Sequence, residues 1–124
     1  MVEQGGRGYW VIIVSFFLAM ILAHLVGDFM LQTDKLAAWK NRDVRGILTH
    51  GSVILVVTGF FALPFDPFWW QGVLFITVTH TAIDGIQLYF QPQIAPILRF
   101  FSDQFLHFLF IFIAIDSTFF IINI

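Results

Sequence analysis

Four long apolar segments constrain this chain more than any other feature of its sequence. They cover residues 9–31, 46–63, 68–90 and 98–120, and each is close to the roughly 20 residues that a helix needs to cross a bilayer. The segments lack the strict alternation of a membrane β-barrel, and an open sheet would leave its edges unpaired in hydrocarbon. They therefore predict an all-α fold: one domain over residues 1–124, an integral membrane bundle of four antiparallel transmembrane helices.

The composition agrees with a lipid environment. Hydrophobic residues make up 59% of the chain and charged residues 11%, with a mean hydropathy of +0.88. Soluble domains carry about 25% charged residues, so an ordinary soluble domain is excluded. Cysteine is absent, which excludes disulfides and thiolate metal sites. The net charge of -2 is too small to indicate nucleic acid as a partner. The partner that the sequence predicts is the lipid bilayer.

The basic residues predict the orientation. The longest connection, residues 33–45, is expected to hold a short interfacial helix that Thr33 or Asp34 caps. By the positive-inside rule, this connection and the start of the fourth segment face the cytoplasm, and both termini lie outside. Five of the six Lys and Arg residues support this: Lys35, Lys40, Arg42, Arg45 and Arg99.

All four histidines lie inside the predicted helices, and three of them have an aspartate four positions away. Residues four apart share a helix face, and ionisable groups within a membrane usually mark function. Because the order within each pair reverses with helix direction, every aspartate is expected on the cytoplasmic side of its histidine. The sequence thus predicts a deep histidine layer under a shallower aspartate layer. The pairs are His24 with Asp28, His80 with Asp84, and Asp103 with His107; His50 is unpaired.

Imidazole and carboxylate groups together are typical ligands of divalent transition metals. Zinc is the first choice, with iron or manganese next, and seven ligands fit two ions better than one. Asp28 and Asp103 are also candidate catalytic bases, and Gln32 and Lys40 are candidate substrate contacts. The same polar residues could instead form hydrogen bonds between helices. The predicted metal ligands are His24, Asp28, His50, His80, Asp84, Asp103 and His107.

A faint internal repeat joins the two halves of the chain. His24-Leu-Val-Gly-Asp28 is followed by Gln32, and His80-Thr-Ala-Ile-Asp84 is followed by Gln87. The pattern is consistent with two related hairpins. Gly46 occupies the position that would match Asp103, so the first half lacks the fourth carboxylate.

Motifs within residues 23–34, 48–51, 80–84 and 103–107 resemble a bacterial integral-membrane family catalogued as domain of unknown function 3307. The resemblance implies a prokaryotic protein of the cell (inner) membrane with these polar residues as its signature, and it supplies no activity. A more distant similarity is to small bacterial membrane proteins described as metal-dependent hydrolases, which also place His and Asp at helix ends.

Three classes of function remain open. The first is a metal-dependent membrane hydrolase of a lipid or lipid-linked substrate, which would use metal-activated water. The second is a small membrane subunit or binding module, including one that ligates haem, although haem would not explain the aspartates. The third is a metal or proton transporter, which is disfavoured by the scarcity of polar residues in the outer half of each segment. A homo-oligomer is compatible with all three.

Overall fold

The computed structural model describes residues 2–90 and 95–122. This part of the chain contains five α-helices and one π-helical turn, and no β-strand, which confirms the all-α prediction. The elements in chain order are α1 (Val2–Leu25), the π-helical turn (Val26–Met30), α2 (Asp34–Lys40), α3 (Val44–Ala62), α4 (Trp70–Phe90) and α5 (Pro96–Ile122).

Three stretches of the described residues are long and apolar enough to cross a membrane: Trp10–Met30, Val44–Ala62 and Pro96–Ser117. They coincide with the first, second and fourth predicted spans. The third predicted span corresponds to α4, which has the length at 21 residues but not the apolarity. Three threonines, a histidine and an aspartate within residues 77–84 lower its mean hydropathy.

The four long helices each contact two others. Helix α1 packs against α3 and α5, and α4 also packs against α3 and α5. Their apolar core lies near the turn between α3 and α4, where Trp69 packs edge-on against Phe16 with ring centroids 4.5 Å apart. We call this region the apolar end. Its buried members are Phe16, Met20, Ala62, Trp69, Val73, Ile76, Ile111, Ala114 and Ile115.

The short helix α2 lies at the opposite end. The Leu36 amide donates to Thr33 Oγ1 at 3.1 Å, which confirms the predicted helix and its cap. Helix α2 then packs directly on the start of α3, because Gly46 has no side chain. A Cβ on Gly46 would lie 2.5 Å from the Trp39 carbonyl carbon and 2.6 Å from the Lys40 amide nitrogen. This close packing leaves no room for a carboxylate at residue 46, the position in the first half of the chain that corresponds to Asp103 in the second half.

Helix α3 begins at a charged cap. Asp43 Oδ1 accepts a hydrogen bond from the Arg45 amide at 2.9 Å, and Asp43 Oδ2 accepts from the Trp39 indole at 3.4 Å. The backbone hydrogen bond from Arg45 is the main reason that the pKa of the Asp43 carboxyl is lowered. The cap fixes the turn between α2 and α3, and thereby the position of α2 over the polar residues described next.

Candidate metal centre

The histidines and aspartates that the sequence singles out come together beside α2, at the end of the long helices opposite the apolar core. We call this cluster the polar end. None of its four histidines is more than 3% exposed, and Asp28 and Asp84 are also buried. Buried charges persist in proteins when they are paired or when they bind a metal. The members of the polar end are His24, Asp28, His50, His80, Asp84, Asp103 and His107.

Asp28 lies in the π-helical turn that follows α1. The Leu31 amide donates to the Val26 carbonyl at 2.9 Å, five residues back, which makes this turn wider than an α-helical one. Such turns inside α-helices are frequent at functional sites. The neighbouring Gly27 approaches α3 so closely that a Cβ there would lie 2.6 Å from Ile54 Cδ1. The small residue at this contact allows the turn, and Asp28 with it, to approach α3.

Three donor atoms from three helical elements form a compact triangle. Its sides are 2.9 Å between Asp28 Oδ1 and His50 Nε2, 3.0 Å between His50 Nε2 and His80 Nε2, and 3.4 Å between His80 Nε2 and Asp28 Oδ1. Asp84 Oδ2 lies 3.4 Å from His80 Nε2 and 4.0 Å from His50 Nε2. Zinc–ligand distances of about 2.0–2.1 Å place tetrahedral ligands roughly 3.3 Å apart. The triangle therefore has the spacing of three ligands around a tetrahedral ion, and Asp84 Oδ2 lies beside it as a further donor outside the compact group.

The remaining donors lie on the other side of Asp28. Asp28 Oδ2 is 3.2 Å from His24 Nε2, and Asp103 Oδ1 is 3.1 Å from His107 Nε2. The His107 ring stacks on His80 with centroids 4.0 Å apart. Ligand atoms of Asp28, Asp103 and His107 all lie within 4.8 Å of one another, and so do those of His24, His80 and His107. The structure thus brings together all seven residues that the sequence selected as candidate ligands.

Several buried polar atoms of the polar end have no hydrogen-bond partner among the described residues. They are His50 Nδ1, Asp84 Oδ2 and both ring nitrogens of His107. The 3.1 Å contact of His107 Nε2 with Asp103 is an ion-pair distance without hydrogen-bond alignment. Leaving a buried polar atom unpaired costs about 1–3 kcal/mol. A cation between the donor groups would satisfy Asp84 Oδ2 and His107 Nε2, so the donor set fits a divalent metal.

Sequence reasoning missed Gln104 as a member of this region. His24 Nε2 lies at hydrogen-bond distance, 3.0 Å, from Gln104 Oε1, and Gln104 Nε2 donates to Asp103 Oδ2 at 3.1 Å. The side chain is buried, at 9% exposure. One signal was available, because Gln104 lies three residues before His107 and therefore on the same helix face. Its amide positions both a histidine and an aspartate of the cluster.

The two predicted substrate contacts have partners in the cluster itself. Gln32 Nε2 donates to the Asp28 carbonyl at 3.1 Å. Lys40 Nζ, from α2, lies 3.7 Å from Asp84 Oδ1, and the Asp84 side chain is almost fully buried. Lys40 thus places a positive charge next to the carboxylates. A role for either residue in substrate binding stays a prediction.

A polar cleft of about 300 Å³ reaches the cluster at Asp103. The Asp103 side chain is 18% exposed, which is the highest value among the seven residues of the polar end. Gln87 Nε2 donates to Asp103 Oδ1 at 2.7 Å and forms part of the cleft wall. Solvent therefore reaches the polar end from the side of Asp103. The lining residues are Asn41, Gln87, Pro96, Arg99, Phe100 and Asp103.

The fold and the cluster define a class: an all-helical protein with apolar helices and a buried His/Asp group that could hold a metal ion. The family described as "Protein of unknown function (DUF3307)" matches residues 16–123, so the chain belongs to this family. The match confirms the family resemblance of the motifs, and the matched range contains every residue of the polar end. Neither the curated proteins nor the solved structures contain a match to the chain.

Proposed function

We propose that this chain is an integral membrane protein whose polar end binds a divalent transition metal and hydrolyses a phosphate or ester group of a lipid or lipid-linked substrate. One observation carries the proposal. Asp28, His50 and His80 present three donor atoms at the spacing of tetrahedral metal ligands. The adjacent Asp84 Oδ2, 3.4 Å from His80 Nε2, is buried without a hydrogen-bond partner among the described residues.

The membrane part of the proposal includes α4. This helix packs between α3 and α5, and it exposes apolar side chains such as Leu74, Val78 and Ile86, which suit contact with lipid. In this arrangement α1, α3, α4 and α5 span the membrane as an antiparallel four-helix bundle. By the positive-inside rule, the basic residues around α2 support a position of the polar end in the cytoplasmic half of the bacterial cell membrane, with both termini outside.

The donor set supports zinc as the first ion to test, followed by iron and manganese. A bound ion of this kind supplies a Lewis acid that lowers the pKa of coordinated water towards neutrality. The protein residues supply the remaining functions. Gln104 and Gln87 hold Asp103 through both carboxylate oxygens, at 3.1 Å and 2.7 Å, which fixes this carboxylate at the floor of the cleft.

The cleft suits a phosphate group. Arg99 and Asn41 line it, and both carry hydrogen-bond donors that can contact phosphate oxygens. In hydrolysis of a phosphate monoester, the oxygen of water bonds to phosphorus and the P–O bond to the alcohol breaks. Asp103 accepts a proton from the water and returns it to the oxygen of the leaving alcohol. The products are the free alcohol and inorganic phosphate.

Elemental analysis tests the metal site. The full chain is purified in mild detergent without chelator, then resupplied with zinc, iron or manganese. We expect at least one metal per chain in the wild type and in Asp116→Ala, whose exposed side chain on α5 lies outside the polar end. If the wild type binds well under one ion per chain after resupply, the metal proposal fails. The polar residues would then act as hydrogen bonds between helices.

A phosphate-release assay tests the chemistry. The metal-loaded chain is mixed with phosphatidic acid in detergent micelles. We expect release of inorganic phosphate, and we expect Arg99→Ala to raise KM about tenfold or more, since hydrogen bonds to charged groups are worth roughly 1.5–3 kcal/mol. Arg42→Ala is the matched control, because Arg42 is an exposed arginine that does not line the cleft. A metal-loaded chain that releases no phosphate would contradict phosphatase activity and leave the metal site standing.

A further inference from the structure

The geometry points to a dinuclear centre in which Asp28 bridges two metal ions. This inference rests on the proposed metal binding and adds a second metal subsite to it. The deep subsite consists of Asp28 Oδ1, His50 Nε2, His80 Nε2 and Asp84 Oδ2. The cleft subsite consists of Asp28 Oδ2, His24 Nε2, His107 Nε2 and Asp103 Oδ1.

The two oxygens of Asp28 face different histidines. Oδ1 lies 2.9 Å from His50 Nε2 and 3.4 Å from His80 Nε2, whereas Oδ2 lies 3.2 Å from His24 Nε2. If Asp28 bound only one ion, its second oxygen would lie beside an imidazole but would not contact a metal. The observed placement is that of a carboxylate shared between two neighbouring ions.

The number and distribution of donors also fit two ions. Zinc in proteins takes about four ligands, and the polar end offers seven residues. Each subsite receives two imidazoles, one carboxylate of its own and one oxygen of Asp28. The compact groups of ligand atoms overlap, because both Asp28 and His80 belong to two of them. Ions held by overlapping groups are adjacent.

The two subsites differ in their access to solvent. His50 is fully buried at 0% exposure, and Asp84 is enclosed by Lys40 and the histidines. Asp103, in contrast, forms part of the lining of the polar cleft. Closed metal sites are usually structural, whereas catalytic sites keep a position open. We therefore assign the stabilising role to the deep subsite and the contact with substrate to the cleft subsite.

The charge balance of the polar end indicates that a second ion would favour binding of a phosphate group. One divalent ion together with Lys40 balances the three aspartates. A second divalent ion adds two positive charges next to the cleft, and a phosphate dianion neutralises them. Two-metal sites stabilise both the attacking and the leaving oxygens in phosphoryl transfer. Tight binding of inorganic phosphate should therefore require the second ion.

Manganese loading tests the dinuclear centre. The full chain in detergent is titrated with Mn²⁺, and the bound ion is counted and examined by electron paramagnetic resonance. The matched variants are Asp84→Asn for the deep subsite and Asp103→Asn for the cleft subsite, with Asp116→Asn as the control. Asparagine keeps the side-chain volume and removes the charge. Circular dichroism verifies that each variant retains its helices.

We expect two Mn²⁺ per chain with an exchange-coupled spectrum in the wild type and in Asp116→Asn. Asp84→Asn and Asp103→Asn should each bind one ion with an uncoupled six-line spectrum, and neither should bind inorganic phosphate at the wild-type affinity. One ion in the wild type, with no change in Asp103→Asn, would overturn the second subsite and leave the proposed function intact.

Two uncoupled ions in the wild type would overturn bridging by Asp28. Absence of any bound ion would overturn the metal proposal itself, which is a different outcome from the loss of one ion. If a variant loses its helices, the stoichiometry and spectrum of the wild type still decide between one ion, two separate ions and a bridged pair.

Discussion

The apolar end and the polar end are both largely buried but are stabilised in different ways. Met20 and Ile111 at the apolar end are 1% exposed, and His50 at the polar end is 0% exposed. Apolar side chains gain from close packing alone, whereas each buried polar atom also needs a partner. The polar end supplies most of these partners from other helices, and some atoms still lack one among the described residues.

The comparison separates stability from chemistry. If the helices lie in lipid, apolar packing between them gains little from the hydrophobic effect and depends on contact between well-fitted surfaces. At the polar end, Asp28, His50 and His80 join three helical elements through donor atoms about 3 Å apart. The apolar end can therefore tolerate conservative changes, while the polar end loses both contacts and a proposed ion when one residue is removed.

The largest effect is expected for His80→Ala. This substitution removes a donor of the deep subsite, the ring that stacks on His107 of the cleft subsite, and the 3.4 Å contacts with Asp28 and Asp84. Breaking a buried ion pair typically costs about 3–5 kcal/mol. We expect loss of bound metal and a large fall in thermal stability in detergent, measured by elemental analysis and by circular dichroism. Retention of metal by His80→Ala would show that the polar end does not act as one unit.

Met20→Ala should lower the stability of the protein and leave its metal content unchanged. Truncation of a fully buried methionine costs about 2–5 kcal/mol, because a cavity forms and dispersion contacts are lost. The bound metal per folded chain should stay at the wild-type value, since Met20 lies in the apolar core and not in the polar end. Both quantities can be measured on the same preparation. A fall in metal content at unchanged helicity would mean that the two ends are coupled.

Acidification should affect the polar end selectively. A histidine ligand must be neutral, so protons compete with metal once the pH falls below the pKa of the ligating imidazoles. Metal affinity should therefore be highest above that pKa and should drop about tenfold per pH unit below it for each competing histidine. Titration of Mn²⁺ at a series of pH values measures the slope. The Met20→Ala protein should show the wild-type slope, and a pH-independent affinity would contradict imidazole ligation.

The smallest effect is expected for Thr33→Ala, at the cap of α2. Loss of an N-cap hydroxyl costs about 1 kcal/mol, and here the hydrogen bond to the Leu36 amide is exposed. Hydrogen exchange of the α2 amides should become faster while metal content is unchanged. Equal protection of α2 in both proteins would show that its packing on Gly46, and not the cap, holds this helix in place.

The sequence was most informative where a rule acts over a few residues. Apolar segment length predicted the bounds of α3, α4 and α5 to within two residues, whereas α1 begins at Val2, seven residues before the predicted start. A cap at Thr33 or Asp34 predicted α2. The third predicted span illustrates the limit of this reasoning. Length alone suggested a membrane span at residues 68–90, whereas the polar residues that make α4 useful to the cluster also reduce its apolarity.

The contacts of the candidate site also divide into those that the sequence predicts and those that only the packing of the helices sets. Helix periodicity alone predicts that His24 faces Asp28, His80 faces Asp84 and Asp103 faces His107, and these pairs lie 3.1 to 3.4 Å apart. Packing between helices sets the contacts of His50 with Asp28 and His80, of His24 with Gln104, and of Lys40 with Asp84. Such contacts depend on how far each helix is shifted and rotated against its neighbours, and residue spacing within one helix carries no information about this. The widened turn at Asp28 and the close packing at Gly46 set those shifts, so the spacing of donor atoms that suits a metal ion emerges in the folded chain.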